Sequence, residues 1–223
     1  ANIANDPSAD LNPNLSWETN VLASMKLCEI AKKNKIKKII YASSGSVYGI
    51  KSEKNVTEDL SLKPISLYNK TKMIAERIFY SYKKDFEIII VRPATICGFS
   101  RKMRLDLTVN ALTFHALSKK LITIHGGEQI RPNIHIKDMI NVYDFFLNNQ
   151  VESGFYNAGF ENQSIIEIAN LISDKIKCET IIDKNTNDPR SYRQNSGKIL
   201  NMGFLPKHSI NDAIEELIIK FNN

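Results

Sequence analysis

The stretch "KKIIYASS", residues 37–44, decides the fold. Two lysines give way to the apolar run Ile39, Ile40, Tyr41 and Ala42, which stops at Ser43 and Ser44. A short apolar run with no polar alternation is the pattern of a strand covered on both faces, as in a parallel sheet. "FEIIIVRP", residues 86–93, repeats it and stops at Pro93. Between the two lies "SLYNKTKMIAERIF", residues 66–79, which reads as a helix starting near Leu67. Ahead of the first, residues 14–33 carry Trp17, Val21, Met25, Leu27, Cys28 and Ile30 at helical spacing. Helix, strand, helix and strand in that order imply parallel strands joined by crossover helices, hence an open α/β sheet. Ligands of such sheets sit beyond the carboxyl ends of the strands. That points to Ser43, Ser44, Thr95 and Cys97 before any motif is considered.

The later chain reads less regularly. Residues 106–119 are expected to be a helix, 121–125 a strand, "RPNIHIKDM" a loop or short strand, and 137–149 a helix. "GFYNAG" at 154–159 and "IKCETIID" read as strands, "SIIEIANLISDKI" at 164–176 as an amphipathic helix. A last helix spans 208–221, with Ser209 as N-cap and Asp212 in the capping-box position. Asp138 is expected to cap the helix that follows it, and His135 to be structural.

The 223 residues allow one large domain or one and a half ordinary ones, and a composition 43% hydrophobic and 24% charged is that of a globular protein. No apolar run approaches the roughly 18 residues of a membrane span, and the first 20 residues show no signal-peptide pattern. The net charge of +6 is spread as lysines along the whole chain, without the basic stripe and interleaved aromatics of a nucleic-acid surface. An anionic small substrate fits it. Cys28, Cys97 and Cys178 are odd in number and irregularly spaced, and no HExxH pair occurs. The expectations are no disulfide framework, no metal site and a reducing cytoplasm.

Tyr68 and Lys72 stand four residues apart and share a helix face. Taken alone the pair is a helix aromatic beside a surface charge. A free phenol, with a pKa of about 10, is a poor base at neutral pH, but an ammonium within about 6 Å favours the phenolate. A strand ending in "YASSGSVYG" lies upstream and the strand "IIIVRPATICG" follows. In that layout Ser44 and Tyr68 converge on one substrate oxygen.

With these blocks assembled, the chain resembles the extended short-chain dehydrogenase/reductases, specifically the NAD-dependent epimerase/dehydratase family acting on nucleotide sugars. "NVLASMKLCEIAKKNKIKKIIYASSGSVYG", "SLYNKTKMIAE", "VRPATICG", "RPNIHIKDM" and "RSYRQNSGKILNMGFLPKHSI" follow the family's blocks in order and spacing. The resemblance implies a Rossmann-like doubly wound parallel sheet, N-terminally truncated, with a smaller C-terminal α/β substrate-binding region. Residues 1–98 would hold the C-terminal part of the dinucleotide-binding domain with the catalytic residues. Residues 99–223 would mainly bind substrate, interleaved with the last part of the sheet. It further implies NAD as cofactor, a nucleotide-diphosphate sugar as substrate and a homodimer built on the helices at 14–33 and 67–83.

The implied roles are specific. Tyr68 is the acid/base; Lys72 lowers its pKa and binds the nicotinamide ribose. Ser44 hydrogen-bonds the reacting sugar oxygen. Asn20, Ala42, Ser43, Arg92, Pro93 and Thr95 line the cofactor, Thr95 also reaching the substrate. Arg131, with Arg190 or Arg193, clamps the diphosphate, a task suited to planar guanidinium groups. Cys97 is a small apolar filler with no neighbouring cation to activate it.

Two departures from the family pattern shape the expected reaction. The family opens with strand–GxxGxxG–helix, which cradles the pyrophosphate; this chain has nine glycines and no such motif. "ANIANDPSADLNP" resembles the loop after the family's fourth strand, about 70 residues into such a half. If the protein began at Ala1, it would bind NAD poorly. The 4,6-dehydratases of the family carry Asp-Glu where Gly45 and Ser46 stand, and 3,5-epimerases a cysteine at Ser46. What remains needs only Ser44, Tyr68 and Lys72: epimerisation at C4 through a transient 4-keto sugar. The alternatives are a 4-keto reductase or 4,6-dehydratase, or a catalytically idle dinucleotide-binding scaffold or regulator.

Overall fold

The computed structural model describes residues 2–183 and 191–222. Its centre is a parallel sheet of β1 (Lys38–Ala42), β2 (Glu87–Pro93) and β6 (Gly154–Ala158), in the order β1-β2-β6. Successive residues of β2 face opposite ways, as a strand requires. Ile88 and Ile90 pack with Tyr41, with Cys28 and Ala31 of α3 (Ala23–Lys33), and with Ala75 and Phe79 of α4 (Leu67–Ser81). Ile89 and Val91 pack on the other face with Met139, Val142 and Phe146 of α6 (Ile136–Asn148). Helices therefore cover both faces of one parallel sheet, a Rossmann-like arrangement. β2 is buried along its whole middle, which is why its sequence shows no polar alternation.

The helix expected over 14–33 is helical throughout but changes phase. α2 (Pro13–Trp17) passes into one π turn, Glu18–Leu22, before α3; a shorter helix, α1 (Asp6–Leu11), precedes it. The π turn inserts one residue into the helical repeat and rotates Asn20 toward α4, where its amide donates to Thr71 Oγ1 at 3.0 Å.

A second sheet joins β3 (Thr95–Cys97) to β5 (Ile130–His135) in parallel and β5 to β7 (Glu161–Ser164) antiparallel. A parallel pair, β4 (Leu121–His125) and β8 (Glu179–Asp183), stands beside it. Between them a separate apolar cluster gathers Val109 and Leu112 of α5 (Thr108–Lys119), Ile168 and Ile172 of α7 (Ile165–Ser173), and Ile214 of α9 (Ile210–Asn222). β7 and α8 (Gly197–Asn201) were not anticipated: "ENQS" is polar and gets its strand conformation from pairing with β5, not from its own apolar content.

Ser209 and Asp212 form the expected reciprocal cap, the serine Oγ accepting from Asp212 N at 3.1 Å and the carboxylate accepting from Ser209 N at 2.7 Å. Asp138 departs from expectation. His135 Nδ1 caps α6 by accepting from Lys137 N, and Asp138 is the third residue of the helix, within its first turn. Its buried carboxylate accepts instead from the backbone N–H groups of Lys207 and His208, pinning the segment that leads to α9. The three cysteines are free. Among the described residues no helix is long and apolar enough to cross a membrane, and no three metal-ligating side chains gather.

Candidate active site

Beyond the carboxyl ends of β1 and β2 opens a cavity of about 680 Å³. The ladder between the strands runs one residue past Ala42, Ser43 N donating to Val91 O at 2.8 Å. The chain then breaks into the 3₁₀ turn Gly45–Tyr48, capped by Ser44, whose Oγ accepts from Ser46 N at 3.2 Å. The turn is crowded at Gly45, where a Cβ would lie 3.0 Å from both Pro93 O and Tyr192 Oη. The turn leaves the Ser44 and Ser46 hydroxyls in the cavity wall.

Tyr68 enters from the first turn of α4. Ser66 caps that helix, its Oγ accepting from Asn69 N at 3.2 Å, so the following Tyr68 and Lys72 fall on the buried face with Ala75 and Phe79. Burial drives the Tyr68 phenol up to about 12. The Ser44 hydroxyl facing it pulls it back down most, and the Arg104 guanidinium also lowers it, while the Asp6 carboxylate raises it.

Lys72 is buried beside Tyr68. Its ammonium lies over ring faces, 5.0 Å from the Tyr41 centroid and 5.8 Å from that of Tyr68, and donates to Ala42 O at 2.8 Å. Burial lowers Lys72 itself to about 8, against the opposing pull of Glu76. Arg104 is one cation that lowers the Tyr68 phenol, and it is held by a bidentate pair to Asp106 at 2.6 and 2.9 Å.

The other expected residues divide. Ala42, Ser43, Pro93, Thr95 and Arg131 line the cavity with Ser44, Tyr68 and Lys72. Asn20 does not: its amide is spent on Ile3, accepting from Ile3 N and donating to Ile3 O, and on Thr71. Arg92 does not either. It is 3% exposed, forks onto Glu76 at 3.0 and 2.8 Å, and donates to Tyr48 Oη and Glu58 O. That ties β2 to α4 behind the cavity, and Ser43 Oγ donates to the same Glu76 carboxylate at 2.5 Å. Arg193 is exposed and its charge acts on Glu167, and Arg190 lies outside the described residues. Burial pushes the Cys97 thiol up to about 12, which suits a filler.

Sequence reasoning missed Ser46, Asn69, Arg104 and Tyr143. Ser46, Arg104 and Tyr143 line the cavity, and Asn69 lies directly behind Ser46. Arg104 belongs to the region, residues 99–223, expected mainly to bind substrate, but nothing in "SRKMRLD" sets it apart from its basic neighbours.

A family model described as NAD dependent epimerase/dehydratase family matches residues 1–159. An uncharacterized UDP-glucose epimerase, YtcB, of Bacillus subtilis is 31% identical over 158 residues, 70% of this chain and 50% of that protein. A dTDP-D-glucose 4,6-dehydratase of Dictyostelium discoideum is 31% identical over 171 residues, 69% of this chain and 37% of that one. Among solved structures, a mutant UDP-glucuronic acid 4-epimerase from Bacillus cereus, in complex with UDP-4-deoxy-4-fluoro-glucuronic acid and NAD, superposes with a TM-score of 0.80. It is 26% identical, and the match covers 92% of this chain and 69% of that one. The chain spans about half the length of the curated relatives it matches.

Proposed function

The chain belongs to the NAD-dependent epimerase/dehydratase family, and from that premise we propose that it carries the catalytic and substrate-binding part of an NAD-dependent nucleotide-sugar epimerase acting at C4. The observation that carries this reading is the meeting of the Ser44 hydroxyl, the Tyr68 phenol and the Lys72 ammonium at one cavity.

The cavity fits the nicotinamide ribose in one testable respect. Lys72 is 3% exposed, and an ammonium has three donors. One donates to Ala42 O; the other two find no acceptor among the described residues. Two vicinal ribose hydroxyls match that demand. Lys72 and Ser43 would hold this end of NAD, with Pro93 and Thr95 against the ring. When bound, NAD supplies the hydride acceptor and a cationic ring.

The chain's own residues handle the proton. Tyr68 takes it from the C4 hydroxyl as hydride leaves the same carbon, and returns it when hydride comes back to the other face. Ser44 holds the reacting oxygen in reach. With its phenol near 12, Tyr68 is a proton donor in the chain alone; it becomes a base only when cationic charge is added. Arg131 borders the cavity, and its planar guanidinium there supports the reading that it takes the diphosphate. A 4-keto reductase uses half of this cycle. Gly45 and Ser46 lack the acid and base that elimination of water demands. A second copy would dock on the helices at 14–33 and 67–83, where Leu22 and Met25, three residues apart, are exposed.

The test is incubation of the full-length protein with NAD and a panel of UDP-, GDP-, CDP- and dTDP-sugars, following NADH absorbance and the product sugar. Tyr68→Phe should lose turnover and keep nucleotide-sugar binding. Normal turnover in that variant refutes the assignment of the base. No conversion of any sugar by the parent favours an idle scaffold.

A further inference from the structure

The segment between β3 and α5 runs along the cavity, to which it contributes Ser100, Lys102, Met103 and Arg104. α5 starts at Thr108 with no side-chain cap from Leu107, so the junction itself lacks the bond that usually fixes how a chain enters a helix. Asn110, in the first turn of α5 and 2% exposed, supplies a hold from further along. Its Oδ1 accepts from Gly98 N at 3.0 Å, and its Nδ2 donates to Arg104 O at 3.2 Å. One amide grips both ends of the stretch 98–104, with its acceptor on one end and its donor on the other.

That grip is anchored in the body of the protein. Val109 and Leu112, on either side of Asn110 in α5, belong to the buried apolar cluster with Ile168 and Ile172. Arg104 is held in two ways. Its guanidinium forks onto Asp106, two residues on, which travels with it. That pair fixes the side chain to its own segment and does not by itself fix the segment to the rest of the chain. The backbone carbonyl of Arg104 is what Asn110 holds. Tying both ends of a stretch to one packed helix removes much of the freedom its residues would otherwise keep. Burial raises the Tyr68 phenol most. Of the charged and titratable groups around it, Asp6 belongs to α1, Tyr143 to α6 and Tyr41 to β1, and Lys72 lies on its own helix. Of the groups that act on the phenol, only Arg104 lies in the clamped stretch. Releasing the stretch would change the distance from Arg104 to Tyr68 and leave the others where they are.

We propose that Asn110 is a positioning residue for the reaction: it clamps residues 98–104 along the cavity and so keeps the Arg104 guanidinium at a fixed distance from the Tyr68 phenol. The inference rests on the reading of Tyr68 as the group that carries the proton. Asn110 makes and breaks no bond of the substrate; it acts on Tyr68 only through Arg104.

Two measurements on the full-length protein test it. The first is the pH–rate profile with NAD and the nucleotide sugar that the parent converts. The acidic limb, where Tyr68 must lose its proton, should move to higher pH in Asn110→Ala, in the direction that Arg104→Leu moves it and by no more. The rate on that limb should fall about threefold. Arg104→Leu/Asn110→Ala should move the limb no further than Arg104→Leu alone, because the clamp then has no charge left to place. A purely structural role would lower Tm and leave the limb where it is. An unmoved limb, or shifts that add in the double variant, overturns the proposal. The second needs no turnover. Met103 lies inside the clamped stretch, and its methyl NMR signal is identified by its absence from Met103→Leu. That signal should shift and narrow in Asn110→Ala, as the stretch gains motion. It should do the same in Asn110→Asp, which keeps an acceptor for Gly98 and a charge favoured in a first helical turn but cannot donate to Arg104 O. A Met103 signal unchanged in either folded variant overturns the clamp whatever the rates show. A signal that responds in a protein without turnover keeps the clamp and removes the epimerase reading instead.

Discussion

Replacing Arg92 by methionine separates a structural lock from a cofactor contact. The guanidinium and the Glu76 carboxylate are 3% and 1% exposed as side chains and 2.8 Å apart at their closest. Arg92→Met strips Glu76 of both forked donors and leaves it the Ser43 hydroxyl. Tyr48 Oη and Glu58 O lose a donor as well. Removing one partner of a buried pair typically costs about 3–5 kcal/mol, because the other charge stays buried and uncompensated. For a chain of this size that is a fall in Tm of about 6–20 °C. The double variant Arg92→Met/Glu76→Gln removes the stranded charge and keeps an acceptor for Ser43. It should recover at least half of the lost Tm and bind NAD within about threefold of the parent. Thermal melting and calorimetric NAD titration of the full-length protein read both. A single variant within about 1 kcal/mol of the parent would refute the lock. A double variant that regains stability but not NAD affinity would return Arg92 to the cofactor.

Lys72, lowered to about 8 by burial, binds fewer protons in the folded chain than in the unfolded one between that pH and its ordinary value near 10.4. This group therefore costs stability at neutral pH, and the cost, about 3 kcal/mol at full charge, is relieved as pH rises through that window. Lys72→Met should lose that pH-dependent gain in Tm between pH 8 and 10 while abolishing turnover; an unchanged slope contradicts the buried charge. Arg104→Leu removes a cation that acidifies Tyr68 and Asp6→Asn a carboxylate that opposes it. The acidic limb of the pH–rate profile, where Tyr68 must lose its proton, should move to higher pH in the first and lower pH in the second, and shifts of the same sign would contradict this geometry. Gly49→Ala should destabilise by about 3 kcal/mol, since φ is +70° and the new Cβ would lie 2.1 Å from Lys63 O; denaturant unfolding measures it. Ser209→Ala should cost only about 1 kcal/mol through its cap, also read by unfolding.

The sequence by itself determined the central sheet and the helices on it. Runs such as Ile88–Val91 are apolar at every position, and only a strand covered on both faces needs that. It also determined that Tyr68 and Lys72 share a face, because helical spacing does so wherever the helix lies. Local chemistry placed the cap at Ser209 correctly and that at Asp138 wrongly, since the Asp138 carboxylate, in the first turn of α6, takes partners 69 residues away instead. The tertiary structure alone decided where charges point. Arg92 and Arg131 look alike in sequence, yet one is spent on Glu76 and the other borders the cavity. Lys72 is aimed at a backbone carbonyl, Arg104 influences the phenol, and Asn69 stands behind Ser46. Periodicity reports which side chains are buried. It carries no term for which polar atom a buried donor meets, because that partner comes from a distant part of the chain and is chosen by packing.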